Sequence, residues 1–231
     1  MTVAERWMDT ISQNLANVST TAYKRDVFLF NEGLDRLMSQ PGGAQIGRLG
    51  AGPADKGTQT VFEMGSLAAT GNPMDLAIGT ERHMMQVRGG NGEIRYTRDG
   101  ALALGPNREL VTKTGAQVLD PDGNPIVIPA GPFSVSADGQ VQSGNQVIGR
   151  IALYDGNFQK VGDGQYINAD PRLVPQNETR IHQGFIEGSN VNAIEEMVAM
   201  IKLNRAYEMA QKSIQGQDES TGRLISILTS R

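Results

Sequence analysis

Apolar residues near both ends of the chain follow the spacing of amphipathic helices. From residue 200 onward they recur at alternating steps of three and four, which is the 3.5-residue seam of a coiled coil. This C-terminal seam consists of Met200, Leu203, Tyr207, Ala210, Ile214, Gln217, Thr221, Leu224 and Leu228. A shorter N-terminal seam consists of Ala4, Met8, Ile11, Leu15 and Val18. We predict one helix over residues 3–18 and a longer one that begins near Asn190 or Asn192.

The middle of the chain has a β-like pattern. Short apolar and β-branched runs predict strands at 59–62, 75–78, 84–88, 94–98, 109–112, 125–128, 133–136 and 147–154. Clusters of glycine, asparagine and aspartate, which reach positive φ at low cost, separate them at 89–92, 121–124, 137–139 and 143–145. Many short strands without interspersed helices indicate a compact antiparallel β domain.

A polar segment rich in glycine and proline, residues 39–57, lies between the first helix and the β-like region. Its composition argues against any regular element there. The predicted fold class is α+β, with an antiparallel all-β middle domain flanked by N- and C-terminal helices that form a coiled-coil-like pair. The helical region comprises residues 1–57 and 185–231, and the β domain comprises residues 58–184.

Composition excludes several classes of function. A chain of 231 residues can bury a substantial core, and its net charge of −4 gives no strong attraction to nucleic acid. The absence of cysteine excludes disulfides and thiolate sites. No apolar run approaches the ~18–20 residues needed to span a bilayer, and the start lacks the pattern of a cleaved secretory signal. We expect neither nucleic-acid binding nor direct membrane insertion.

Candidate chemistry is sparse. The two histidines, His83 and His182, have no second histidine at ligand spacing. Residues 120–124 resemble the start of a calcium loop, but Pro125 and Gly131 occupy the positions that need glycine and glutamate. We therefore predict a turn at 120–124, and we expect no catalytic residue, no metal site and no cofactor.

Three groups of motifs, in order along the chain, resemble those of the flagellar rod and hook family of axial proteins. The first is MDTISQNLANVSTTAYKRD (8–26), and the last is GFIEGSNVNAIEEMVAMIKLNRAYE (184–208). Between them stand GNPMDLAI (71–78), YTRDG (96–100) and LVT (110–112). The resemblance covers nearly the whole chain. The size of the chain and its compact middle are closer to the rod members of the family than to the hook member. The proximal rod member is the most similar, and the distal rod member is second.

Two departures from the family pattern stand out. Where the family has a glycine-polar-glycine step followed by two aromatics, residues 79–85 end in Met84 and Met85, and we expect local repacking around these pliable side chains. The family's N-terminal helix normally begins well before the position matched by Val3. We therefore expect that this chain starts late, and that the far part of the C-terminal seam packs on neighbouring subunits.

The resemblance implies a structural, non-enzymatic subunit of the bacterial flagellar basal-body rod that polymerises through its terminal helices. The implied partners are copies of itself, neighbouring rod and axial proteins, and the flagellar export apparatus. The implied location is the rod, where it crosses the periplasm or cell wall, after export without a cleaved signal peptide. The alternative is a soluble β-domain ligand-binding module that its terminal helices dimerise.

We expect the assembly residues to lie on the two seams and where the helices meet the β domain. They are Met8, Ile11, Asn14, Leu15, Asn17, Val18, Ser189, Asn190, Val191, Met200, Leu203, Arg205, Tyr207, Ile214, Leu224 and Leu228. The apolar members could equally form the core of an ordinary helical hairpin. The amides could be helix caps and stops, or they could fix the register between subunits as buried polar groups do in coiled coils.

Overall fold

The computed structural model describes residues 2–30 and 55–229. The helices within these two ranges are α1 (Thr2–Ala16) and α2 (Ala193–Thr229). The strands are β1 (Asp26–Phe30), β2 (Asp55–Thr60), β3 (Leu67–Ala69), β4 (Leu76–Ile78), β5 (Met84–Arg88), β6 (Ile94–Thr97), β7 (Ala103–Leu104), β8 (Leu110–Val111), β9 (Gln117–Val118), β10 (Phe133–Val135), β11 (Gln140–Ser143), β12 (Gln146–Arg150), β13 (Leu153–Asp155), β14 (Phe158–Gly162), β15 (Gln165–Asn168), β16 (Arg172–Leu173), β17 (Ile181–Gln183) and β18 (Phe185–Glu187).

Helix α1 ends earlier than the periodicity predicted. Val18 lies beyond the helix, in the turn that follows it. There the Asn17 carbonyl accepts a hydrogen bond from the Thr20 amide at 3.1 Å, and Asn17 Oδ1 accepts one from the Thr20 hydroxyl at 3.1 Å. Such local bonds compete with helical ones, so the prediction that the helix extends to residue 18 is wrong.

Helix α2 begins at one of the two predicted positions. Asn192 Oδ1 accepts the amides of Ile194 at 3.1 Å and Glu195 at 3.5 Å, so Asn192 is the N-cap. Glu195 and Glu196 lie in the first turn, where their charge complements the helix dipole. The helix continues through two glycines to Thr229, although each costs about 1 kcal/mol relative to alanine.

The described residues group into two compact units. The first, the helical unit, contains residues 2–16, 26–30, 55–59 and 192–229. In it β1 pairs with β2, and α1 contacts both β1 and α2. The second, the β unit, contains residues 17–25 and 60–191, so residues 185–191 group with the strands. Of the predicted irregular segment, residues 55–57 belong to strand β2, which corrects that part, and residues 39–54 lie outside the described residues.

The β unit confirms the predicted antiparallel domain. Its largest sheet has the order β14-β15-β6-β5-β9-β8-β7, and β13 pairs with β5 and β16. A second sheet has the order β10-β11-β12, and two further pairs are β17-β4 and β18-β3. Each of these pairings is antiparallel. The predicted turns are confirmed at Gly92, Gly123, Gly139 and Gly144, all of which have positive φ.

The β unit has two apolar clusters. The larger one is aliphatic and includes Met85, Val87 and Leu110. The smaller one contains Met84 and aromatic rings, among them Tyr96 and Phe158, whose centroids lie 5.4 Å apart in an edge-to-face arrangement. Met84 and Met85 are both fully buried, and they enter different clusters because successive side chains of a strand point to opposite faces.

Three predicted strands differ from the structure. The predicted strand 59–62 shares only residues 59 and 60 with β2. Residues 125–128 make only isolated bridges, because the amides of Ile126 and Ile128 donate to carbonyls of different neighbours, Val118 and Arg108. The predicted strand 147–154 is divided into β12, which pairs with β11, and β13, which pairs with β5 and β16. In the last two places the run changes hydrogen-bonding partner midway, and its apolar residues are only partly buried: Ile126 and Ile151 are buried, whereas Val127 and Val147 are 47% and 52% exposed.

Candidate functional site

The structure places many of the predicted helical residues in the interior of the helical unit. Ile11, Asn14 and Leu203 are buried, and Met8, Leu15, Met200 and Tyr207 are half-buried. Arg205 is exposed. Ile214, Leu224 and Leu228 belong to α2, but their side chains lie outside the described residues. The structure therefore brings the first part of both seams into one region, where α1 and α2 contact each other.

Asn14 connects three elements of the helical unit. Its Nδ2 donates to the Asp26 carbonyl at 2.8 Å and to Glu196 Oε1 at 3.1 Å, and its Oδ1 accepts the Asp26 amide at 2.9 Å. The buried amide thus fixes the start of β1 against α1 and α2. These partners lie in the same chain, which favours the alternative of a helix stop over that of a register contact for this residue.

Helix α2 has a second apolar face that the seam prediction missed. It consists of Ile194, Met197, Val198 and Ile201, which are 69%, 45%, 44% and 52% exposed. Their spacing of i, i+3, i+4 and i+7 puts them on one side of the helix. Ile201 precedes the buried Leu203 by two residues, about 200° around the axis, so this face lies opposite the seam. Arg205 continues it one turn further.

A groove of about 470 Å³ lies beside this second apolar face. It is lined by Trp7 of α1 and by Ile194, Glu195, Val198, Ala199 and Lys202 of α2. Two of these residues, Ile194 and Val198, belong to the second apolar face itself. The groove therefore extends this face towards α1, and it adds an aromatic side chain and one charge of each sign.

Within the β unit, the segments that lead out of α1 and into α2 are paired. The Ala22 amide donates to the Glu187 carbonyl at 2.8 Å, and the Asn190 amide donates to the Tyr23 carbonyl at 3.2 Å. Asn190 Oδ1 accepts the Arg25 amide at 2.7 Å, and Asn190 Nδ2 donates to the Val61 carbonyl at 2.9 Å. We call residues 20–25 and 187–190 together the junction.

The predicted residues next to Asn190 are part of the same region. Val191 is buried, and Ser189 Oγ accepts the Val191 amide at 3.2 Å. Asn17 is half-buried, and it bonds to Thr20 in the local turn. Val18 is also half-buried. Asn17 therefore acts as a turn residue, and Ser189 and Asn190 act as junction residues.

Two junction residues, Lys24 and Glu187, form a fully buried ionic cluster with Arg98. Glu187 Oε1 accepts Lys24 Nζ at 2.6 Å and the Gly65 amide at 2.9 Å. Glu187 Oε2 accepts Arg98 Nε at 2.9 Å and Nη2 at 2.8 Å. The three charged side chains are fully shielded from solvent. Because one carboxylate serves two cations, the cluster has an excess of one positive charge when all three groups are ionised.

Backbone carbonyls offset part of this excess charge. Arg98 Nη1 donates to the carbonyls of Glu81 and His83 at 2.8 Å each. Lys24 Nζ donates to the Glu63 carbonyl at 2.6 Å. Burial lowers the pKa of Lys24 below its usual 10.5, and the Arg98 charge lowers it further, whereas the bond to Glu187 opposes both.

Sequence reasoning did not single out this cluster, although Lys24, Arg98 and Glu187 each stand in a motif quoted for the resemblance. No local pattern reveals the pairing, because the partners are 163 and 89 residues apart. The second apolar face, in contrast, could have been found, since its spacing is that of a helical face.

The described residues offer little that would suit a metal site or a membrane span. They contain no group of three or more histidine, cysteine, aspartate or glutamate side chains that could hold a metal ion. Residues 120–124 form the predicted turn, in which Asp120 Oδ1 accepts the amides of Asp122 and Asn124 at 3.0 and 2.7 Å. Neither described helix has a stretch long and apolar enough to span a bilayer.

Two family models match the regions that build these features. One, described as "Flagellar hook protein FlgE/F/G D1 domain", matches residues 80–143, which include Arg98. The other, described as "Flagellar basal body rod FlgEFG protein C-terminal", matches residues 182–227, which include Glu187 and the second apolar face. Both models describe flagellar rod and hook proteins.

Individual relatives match almost the whole chain. Flagellar basal-body rod protein FlgF of Caulobacter vibrioides is 34% identical over 223 residues, covering 93% of this chain and 88% of that protein. Flagellar basal-body rod protein FlgG of Buchnera aphidicola is 32% identical over 245 residues, covering 94% and 92%. FlgF of Mesorhizobium japonicum is 31% identical over 237 residues, covering 98% and 93%. This chain belongs to the flagellar basal-body rod protein family, which confirms the resemblance of its motifs.

Proposed function

We propose that this structural rod protein is built into the flagellar basal body through its terminal helices, with the second apolar face of α2 as a contact surface for neighbouring subunits. The family supports a structural role in the rod. The exposure of apolar residues on α2 of the helical unit supports the choice of this contact surface. The role we infer is one of assembly and not of catalysis.

One observation carries the proposal: α2 is apolar on two opposite sides. Leu203 on one side is buried inside the helical unit, while Ile194 and Ile201 on the other side are more than half exposed. Burying apolar surface contributes about 25 cal/mol per Å², and exposed apolar patches on folded proteins mark interaction sites. A neighbouring helix that covered this face would make α2 buried on both sides, as in the interior of a helical bundle.

The partners we propose are other rod components and further copies of this chain. A contact between α2 of one subunit and a different surface of the next is heterologous, and heterologous contacts that do not close generate helical assemblies. The coiled-coil-like pairing of the two seams, the contact with the export apparatus, and export without a cleaved signal belong to this proposal. So do Ile214, Leu224 and Leu228 as assembly residues, and placement in the proximal rod.

The test is Ile201→Glu in the bacterium that encodes the protein, after deletion of the native copy. Glutamate is a good helix former, so the helix persists while a charge is placed on the second apolar face. We expect swimming to fall to the level of the deletion strain. Val147→Glu in β12 is the matched control, because Val147 and Ile201 are both 52% exposed and Val147 lies in the β unit. The control should swim normally.

The purified variants separate assembly from folding. Both should show the same thermal unfolding and circular dichroism as the wild-type chain, since each change is at an exposed position. Full motility of the Ile201→Glu strain would overturn the proposed surface. A wild-type chain that stays monomeric with other rod components and binds a small ligand through its β unit would favour the ligand-binding module instead.

A further inference from the structure

The junction connects each terminal helix to the β unit. Helix α1 ends at Ala16 and α2 begins at Ala193, so residues 20–25 and 187–190 are the nearest segments held on the strands. The two segments are also bonded to each other through Ala22 and Glu187 and through Tyr23 and Asn190. Neither segment is therefore docked independently of the other.

The Glu187 carboxylate is the centre of this arrangement. Through Oε1 it bonds Lys24 in the N-terminal segment, and through Oε2 it bonds Arg98, which directly follows β6. Glu187 itself belongs to the C-terminal segment. One buried side chain thus joins both segments to the β unit.

The two cations differ in how they are anchored. Arg98 also donates to the carbonyls of Ile78, Glu81 and His83, so it stays bound to the strands without Glu187. Lys24 has the Glu63 carbonyl in addition to Glu187. Removing the carboxylate would leave two buried cations facing each other, and breaking a buried ion pair by removing one partner is strongly destabilising. The less anchored one, Lys24, should move out.

Close backbone packing is a second requirement for docking. A Cβ atom on Gly65 would lie 2.1 Å from the Gly188 carbonyl oxygen, a distance that real side chains do not tolerate. The Gly65 amide meanwhile donates to Glu187 Oε1. The loop before β3 can therefore approach the C-terminal segment only when residue 65 is glycine.

We propose that Lys24, Arg98 and Glu187 form a latch that makes the two junction segments dock on the β unit and leave it together. When the latch is open, both junction segments leave the strands at once while the β sheet stays folded. The latch is a property of the isolated chain, so its test does not depend on the proposed assembly surface.

Hydrogen–deuterium exchange of the purified full chain tests the latch. In Glu187→Gln we expect the amides of Ala22, Arg25 and Asn190 to exchange at least about tenfold faster, with amides of β5 and β6 unchanged. Gly65→Ala keeps every charge and should give the same pattern by blocking the close approach. Acceleration in one segment alone, or equal acceleration in β5 and β6, would overturn the latch.

Two matched controls isolate the cause. Glu93→Gln removes a carboxylate from the half-exposed pair with Arg95, and Gly90→Ala adds a methyl group where no atom lies within 4 Å. Neither should change exchange in the junction. If Glu187→Gln fails to fold, the wild-type chain provides the test. Amide exchange in urea should give the same opening equilibrium constant for Ala22 and Asn190, within about threefold, at each urea concentration. Unequal constants would refute a shared latch.

Discussion

The helical unit and the β unit differ in how their exposed apolar residues are arranged. In the β unit, residues such as Leu76, Met85 and Leu110 are almost completely buried in an aliphatic cluster. In the helical unit, α2 buries Leu203 but leaves the second apolar face exposed. The β unit also exposes apolar side chains, among them Val147 and Val161, but in α2 the exposed apolar residues share one helical face, which leaves the helical unit a surface for a neighbour.

Buried polar groups sharpen this difference. The β unit encloses a three-residue ionic cluster in which every charged group has several partners, and such satisfied networks make a structure rigid and specific. The helical unit uses one buried amide, Asn14, to hold β1 against its helices. The β unit therefore has the more extensive buried polar network, whereas the helical unit has the exposed face that we propose as a contact surface.

The largest expected effect comes from replacing a buried leucine by alanine, once in each unit. Leu110→Ala in the aliphatic cluster should lower the unfolding free energy of the β unit by about 2–5 kcal/mol, because a fully buried leucine leaves a cavity. Leu203→Ala should loosen α1 and α2 without affecting the β unit. Trp7 is the single tryptophan and lies in α1, so its fluorescence reports the helical unit, and amide exchange of β5 reports the β unit.

Equal shifts of both probes in both variants would contradict the comparison. They would mean that the two units unfold as one cooperative structure.

A smaller effect is expected at the start of α2. Asn192→Ala removes the side-chain oxygen that accepts the amides of Ile194 and Glu195, and loss of such a cap costs about 1 kcal/mol. Exchange of these two amides should accelerate, while β-unit amides stay unchanged. Asn204→Ala, at an exposed position inside the helix, is the control and should cause no loss. Unchanged protection in Asn192→Ala would refute the assigned cap.

The smallest effect is a dependence on pH that belongs to the β unit. Burial lowers the pKa of His83 below its usual 6.5, and the nearby Arg98 charge acts in the same direction, against Asp155 and Glu178. The unfolded chain then binds more protons, so the contribution of His83 to stability is complete above pH 6.5 and is lost as pH falls through the lowered pKa. Both histidines lie in the β unit, so the helical unit should not respond in this range.

Urea unfolding at several pH values below 6.5 measures this loss. His83→Gln should remove the dependence, and His182→Gln should retain it. An unchanged slope in His83→Gln would assign the titration to another group.

Features that depend on neighbouring residues in sequence could be predicted. The turn at 89–92 follows from residues that tolerate positive φ, and β5 has the predicted bounds because its pattern is strongly β-like. Asn192 as a cap follows from the chemistry of an asparagine before an amphipathic run. Most of strand β2 was missed, because the predicted strand 59–62 shares only residues 59 and 60 with it; DKGTQT has no apolar alternation, and its pairing with β1 defines it.

Features that depend on distant partners could not be predicted. The apolar run 147–154 has no local signal for the point where the chain passes from one sheet to another between Arg150 and Leu153. The motif containing Lys24 likewise gives no indication that the side chain is buried, because a lysine is buried only when a partner compensates its charge. Glu187, which supplies that partner, is 163 residues away.

The sequence by itself therefore determined the helices, the antiparallel β region, most turns and membership of the flagellar basal-body rod protein family, because periodicity, turn chemistry and motifs are local properties. The tertiary structure decided which side of α2 is buried and which is exposed, and it brought Lys24, Arg98 and Glu187 together. Burial and charge compensation depend on residues that are far apart along the chain, so only the folded arrangement showed that the second apolar face is exposed and that the three charged groups form one buried cluster.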